Sequence, residues 1–128
     1  MSRKIILILG AGKGISYAVT KKFASEGFLP VLASRNDTKL TELVAGLAAE
    51  GIEADFIKCD LSSGLEIRDL FASLISKYGR LDVLLYNAAS MTKKSLWDLS
   101  EDSLITDFKV NVIGAVAAAQ EAKNLMLD

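Results

Sequence analysis

The sequence predicts an α/β fold, a doubly wound parallel sheet in three layers, and three features predict it. Apolar runs of strand length alternate with stretches of helical period, with no linker, low-complexity segment or repeat between them. The first run, Lys4 to Leu9, is continuously apolar after its lysine rather than alternating, the pattern of a strand covered on both faces. It ends on a glycine-rich turn, Gly10-Ala11-Gly12-Lys13-Gly14, that opens the first helix. Strands each followed by a helix make βαβ units, whose right-handed crossovers give the strand order 3-2-1-4.

Taken in order, Lys4 to Leu9 is a strand and not a targeting segment, because Gly10 breaks the apolar run far short of secretory or membrane-spanning length. Ile15, Ala18, Val19 and Phe23 then recur at helical spacing as far as Gly27, a stop signal. Leu29 to Ala33 is the second strand. Asn36 or Asp37 caps a helix with the face Leu40, Leu43, Val44, Leu47 and Ala48, closed by Gly51. Ile52 to Ile57 is the third strand. Ile67, Leu70, Phe71, Leu74, Ile75 and Tyr78 mark a helix from Leu65 to Tyr78, before Gly79. Leu81 to Tyr86 is the fourth strand. Ser100 with Glu101 and Asp102 starts a last helix, with Leu104, Phe108, Val112, Ala115 and Ala119 on one side, running to the chain end. That helix is apolar on more than one face, which suits burial against a sheet and a second subunit. A homo-oligomer through it is expected.

The 128 residues are read as one domain, 51% apolar and 24% charged, the profile of a folded chain. There is no histidine, which excludes Ser-His-Asp and Cys-His catalysis and HExxH zinc sites. The single Cys59 forbids an internal disulfide and any CxxC metal knuckle, so no metal site is expected and a reducing cytoplasm fits. Fifteen Lys+Arg stand against sixteen Asp+Glu without a basic tract or acidic tail, so neither nucleic acid nor membrane is expected as a partner.

Chemistry is expected just after the strands, where ligands bind in such sheets. In Gly10-Ala11-Gly12-Lys13-Gly14-Ile15-Ser16 the glycines let backbone approach a pyrophosphate, and the helix N-terminus offers unpaired N–H groups to an anion. Ile15 spoils a G-x-G-x-x-G reading, and no G-K-[ST] follows for a Walker A loop. The spacing resembles that of the short-chain dehydrogenase/reductase family, which opens T-G-x-x-x-G-I-G. Here Leu9 replaces the threonine and Ser16 the last glycine, its hydroxyl being free to bond phosphate or a local carbonyl. The resemblance continues in order. Cys59-Asp60-Leu61 is similar to the family's D-[VL] element, which implies an adenine contact for Asp60. Asn87-Ala88-Ala89 resembles N-N-A-G, with Tyr86 for its first asparagine and Ala89 for its glycine. Asn111 matches the helix asparagine that holds a water in the proton relay, and is the catalytic candidate. Each also has a local reading, as a turn former or a side chain bonded to nearby backbone.

The resemblance implies the first half of a Rossmann-type fold and a cofactor site of Gly10, Gly12, Lys13, Gly14, Ile15, Ser34, Arg35, Asp60, Leu61, Asn87 and Ala88. No acid stands at the end of strand 2 to bind a ribose 2′-hydroxyl. Ser34-Arg35 stands there instead, and Arg35, with Lys13, can pair with a 2′-phosphate, so NADP(H) is favoured over NAD(H). The implied activity is hydride transfer between that cofactor and a small carbonyl or alcohol substrate. The family's later Ser and Tyr-x-x-x-Lys are not reached before Asp128, so this chain is expected to be a cofactor-binding part that is inactive by itself. Tyr17-x-x-x-Lys21 has the spacing but sits on the first helix and reads as coincidence. The competing class is a non-catalytic dinucleotide-binding module or sensor, and a remoter one is a sugar-nucleotide epimerase, disfavoured by the glycine spacing.

Overall fold

The structure, a computed structural model, describes residues 3–126. Its elements are β1 (Ile5–Leu9), α1 (Ile15–Ser25), β2 (Leu29–Ser34), α2 (Asp37–Ala49), β3 (Asp55–Lys58), α3 (Gly64–Tyr78), β4 (Val83–Tyr86), α4 (Glu101–Phe108) and α5 (Gly114–Met126). A 3-10 turn, Leu96–Asp98, precedes α4, and a π turn, Lys109–Ile113, joins α4 to α5. The strands form one parallel sheet in the order β3-β2-β1-β4, the order read from the sequence. No helix among the described residues is long and apolar enough to cross a membrane.

Every side chain of β1 is buried, because successive residues point to opposite faces and both faces are covered. Ile5, Leu7 and Leu9 join α3 and α5 through Phe71, Leu74, Ala118 and Ala122. Ile6 and Ile8 join Leu40, Leu43 and Leu47 of α2. Burial of each such aliphatic side chain contributes about 1.5–3 kcal/mol.

Two strands are shorter than their apolar runs. Leu29 N–H bonds the Lys4 carbonyl on the β1 side, so the next N–H would face β3. Pro30 has none to give. Pairing of β2 with β3 accordingly begins at Val31↔Asp55, leaving Ile52 to Ala54 outside the strand. β4 begins at Val83 rather than Leu81 because the Asp82 side chain accepts the Ile5 N–H at 2.8 Å, where a ladder carbonyl would otherwise stand. Arg80 grips that carboxylate through Nε at 2.9 Å and Nη2 at 2.6 Å.

Two helix faces differ from the periodic reading. On α1 the buried line is Ser16 and Thr20, while Ile15 is 70% exposed and Ala18 is also exposed. The polar residues go inward because their hydroxyls bond locally, Thr20 Oγ1 donating to the Ser16 carbonyl at 2.6 Å. The predicted last helix is α4, the π turn and α5; its final residues, Leu127 and Asp128, lie outside the described residues. Gly114, Ala118 and Ala122 are buried there, whereas Leu104, Phe108, Val112 and Ala119 are exposed. The π turn inserts an extra residue and rotates everything after it by about 100° relative to an unbroken α-helix.

Gly114 brings α5 onto the sheet. A Cβ there would lie 2.5 Å from both the Leu61 carbonyl oxygen and Tyr86 Oη. Gly114→Ala should therefore destabilise the chain by about 1–3 kcal/mol through overpacking, although alanine raises helix propensity by about 1 kcal/mol. Urea midpoints of the two chains check this, and an unchanged or raised midpoint contradicts the close approach.

Candidate functional site

The carboxyl ends of all four strands open on one cavity of about 490 Å³, within the range of small-ligand sites. Gly10 and Ala11 line it after β1, Ser34 at the end of β2 with Arg35 after it, Asp60 and Leu61 after β3, and Asn87 to Ser90 after β4. It sits where the strand order reverses between β1 and β4, because the crossovers leave from opposite sides of β1 and their loops part there.

Gly10 makes the cavity's floor possible. Its φ is +90°, and a Cβ would stand 2.5 Å from the Ala88 Cα and N atoms. Gly12 and Gly14 are different: nothing of the protein lies within 4 Å of a Cβ at either, so open space above the loop is left for a ligand.

The loop's N–H groups divide into two sets. Gly10 and Ala11 both donate to the Ala33 carbonyl, at 2.9 and 3.0 Å. Gly12 N–H donates to Ser16 Oγ at 2.8 Å, and the same hydroxyl donates back to the Gly12 carbonyl at 3.1 Å. Ser16 is 2% exposed, so its hydroxyl is spent on the loop and takes the local option of the two open to it in the sequence. The N–H groups of Gly14, Ile15 and Ser16 make no hydrogen bond among the described residues and lie at the positive end of α1.

On the β2 side the cavity carries two cations, Arg35 and Lys39. Lys13, the second cation expected from the sequence beside Arg35, lines a separate groove between α1 and α2 with Tyr17 and Leu43. Lys39 was missed, although the signal was present: Asn36 caps α2 by accepting the Lys39 N–H at 3.0 Å, so Lys39 stands in the first turn directly after Arg35. Across the cavity, Asp60 Oδ1 accepts from Ser62 N at 2.9 Å and Ser62 Oγ at 2.8 Å. Those bonds, and secondarily the Arg35 charge, hold its carboxyl below the usual carboxylate range. Its Oδ2 accepts no hydrogen bond among the described residues. The Cys59 thiol beneath is pushed up to about 12 by burial, which makes it inert as a nucleophile.

The wall after β4 is clamped to the helices. Asn111 Oδ1 accepts the Ser90 N–H and its Nδ2 donates to the Ser90 carbonyl, each at 2.8 Å. Asp107, one turn earlier, accepts from Ser90 Oγ at 2.7 Å and from Thr92 N at 2.9 Å. The Asn111 side chain is thus engaged on backbone, which is the local reading of that residue, and it does not itself line the cavity; Val110 beside it does. Asp107 escaped the sequence reading, its only trace being i, i+4 spacing from Asn111. The Asn87 amide, exposed at the cavity, makes no side-chain hydrogen bond among the described residues.

A model of the short chain dehydrogenase family matches residues 4–128. The chain belongs to that family. The chain is 33% identical over 124 residues to a 3beta-hydroxysteroid dehydrogenase of Mediterraneibacter gnavus, covering 96% of this chain and 45% of the relative. It is 34% identical over 125 residues to the chloroplastic chlorophyll(ide) b reductase NOL of Arabidopsis thaliana, covering 95% and 36% respectively. The solved structure of a metagenomic short-chain oxidoreductase in complex with NADP superposes with a TM-score of 0.87 at 26% identity, covering 95% of this chain and 56% of that one. The chain therefore spans about half the length, or less, of the curated relatives it matches.

Two outcomes follow for this member of the family. Ser16→Ala removes both bonds to Gly12 and should cost about 1–3 kcal/mol, since a part-buried N–H loses its partner. Thermal or urea denaturation measures it, and a loss below the experimental error would show that Gly12 finds another acceptor. The second concerns pH. Hydrogen bonds from Ser90 and then Thr92 hold the Asp107 carboxyl below its ordinary value. A depressed folded-state value means the latch is complete above the unfolded value, about 3.9, and is lost as pH falls through the lower folded one. Exchange protection of the Thr92 amide, corrected for intrinsic rates, should therefore hold at pH 6 and fall as pH drops below about 4. Asp107→Asn should flatten the profile; the same acid step in that variant would assign the step to another group.

Proposed function

We propose that this chain is the cofactor-binding half of an NADP(H)-dependent oxidoreductase acting on a small carbonyl/alcohol pair. The observation that carries the reading is the pairing of Arg35 with Lys39 on the cavity wall after β2, where no acid stands to bind a ribose 2′-hydroxyl. Two cations there suit a 2′-phosphate, and the NADP in the related metagenomic oxidoreductase supports that choice.

The rest of the cavity fits the same ligand. The free N–H groups of Gly14, Ile15 and Ser16 and the space above Gly12 and Gly14 accept a pyrophosphate. Asp60 Oδ2 is an acceptor for the adenine amino group, with Leu61 as apolar surface beside it. With the adenine end at Arg35 and Asp60, the other end falls against Asn87, Ala88 and the clamped Ser90 wall. When bound, the nicotinamide supplies the hydride acceptor or donor. Asn87 and Asn111 orient and shape the site.

Acid–base work is not carried by the cavity groups described. Burial raises Cys59, and burial likewise raises Tyr86 above its ordinary value. Tyr17 and Lys21 both bond Glu50 at the end of α2, and that bond pushes the Tyr17 hydroxyl up, the wrong direction for a proton donor at neutral pH. The chain by itself is therefore proposed to bind dinucleotide without turnover. That shared pocket is also what a non-catalytic module would use, and turnover separates the two readings. The exposed Leu104, Ile105, Phe108 and Ile113 support self-association through α4 and the π turn.

Titration of NADPH and NADH against the wild type should show NADPH binding more tightly. Arg35→Asp should shift preference toward NADH by about 1.5–3 kcal/mol, the worth of a hydrogen bond to a charged group. Equal affinities in the wild type would remove the 2′-phosphate assignment.

A further inference from the structure

Tyr86 ends β4 with its ring half-buried against the core and its hydroxyl reaching across to the helix layer. Oη donates to the Val110 carbonyl at 2.5 Å. Val110 lies in the π turn, where the ladder widens and Gly114 N–H returns to the Lys109 carbonyl. A phenylalanine would place the same ring without the donor. Gly114, bare of a Cβ, is what lets Oη in, since a Cβ would stand 2.5 Å from it.

The turn so held carries two consequences. It puts Asn111 in register to take both the N–H and the carbonyl of Ser90, and it turns Gly114, Ala118 and Ala122 toward the sheet. An unbroken α-helix through the same residues would rotate one set or the other by about 100° and break one of these contacts. Burial, and then the neighbouring Cys59, keep the Tyr86 hydroxyl protonated beyond its ordinary range, so the donor persists at physiological pH.

We propose that Tyr86 is a positioning residue of the site: by donating to the Val110 carbonyl it fixes the π turn, and through it the Asn111 clamp that shapes the cavity wall beside Asn87. The proposal rests on the reading of the cavity as a dinucleotide site, with the adenine end at Arg35. It acts on the opposite end.

Tyr86→Phe tests it with two readouts. Amide exchange in 109–114 and at Ser90 should accelerate about tenfold, as for the loss of one hydrogen bond, while the core amides of α3 stay protected. NADPH affinity should fall severalfold, while 2′,5′-ADP, which carries the adenine end alone, binds as before. Asn111→Ala, which opens the clamp downstream, should reproduce that ligand split with exchange in the π turn as in the wild type. Unchanged exchange in Tyr86→Phe overturns the hold on the turn. Equal weakening of both ligands in both variants overturns the positioning role, because a general loss of structure would do the same. Failure of the wild type to bind either nucleotide overturns the dinucleotide reading instead, and accelerated exchange then still supports the tyrosine's hold on the turn.

Discussion

The whole site depends on one close approach, that of Gly10 to the backbone of Asn87 and Ala88. β1 and β4 run side by side to Leu9 and Tyr86, and the Asn87 N–H still bonds the Leu9 carbonyl at 2.8 Å. One residue later the chains must part to open a crevice: Gly10 turns at φ +90° into the loop while Ala88 passes 2.5 Å from where a Cβ would stand, far inside van der Waals contact. No L side chain satisfies both the dihedral angle and the space. The crevice floor, the direction of α1 and the placing of Asn87 all follow from that contact.

The glycine loop is also an exercise in hydrogen-bond satisfaction. A turn this tight leaves a row of N–H groups, and the ones facing the protein must find partners. Ala33 takes two of them and Ser16 a third, which fixes the loop before any ligand arrives. Without a partner among the described residues are the N–H groups of Lys13, Gly14, Ile15 and Ser16, the last three at the positive end of α1. Ser16 therefore changes the division of labour in the loop. The hydroxyl serves as an internal partner for Gly12, which leaves the main-chain N–H groups of Gly14, Ile15 and Ser16 for the proposed anion site.

Lysine placement shows how far helix starts decide which charges reach the cavity. Lys13 follows the second loop glycine and looks close to Arg35 on paper, yet it lines the groove with Tyr17 of α1 and Leu43 of α2. Lys39 looks remote, yet the capping turn at Asn36 folds it back onto the cavity. Which lysine joins Arg35 at the cavity is set by where α2 begins, and the Asn36 cap decides that.

Sequence alone determined the strand order, the location of the cavity and half of its lining, for reasons that are local or topological. Burial on both faces is visible as the unbroken run Ile5 to Leu9; right-handed crossover then allows one order, and the order places the crevice. Gly10, Arg35, Asp60 and Asn87 were legible because each stands within two residues of a strand's end. Tertiary structure decided what depends on partners far along the chain. Pro30 and Asp82 trimmed two strands through bonds made or missing to neighbours, and Ala33 settled which loop N–H groups stay free. The face of the last helix was illegible because periodicity assumes 3.6 residues per turn, and the π turn that breaks this count is held by Tyr86, a residue of another element altogether.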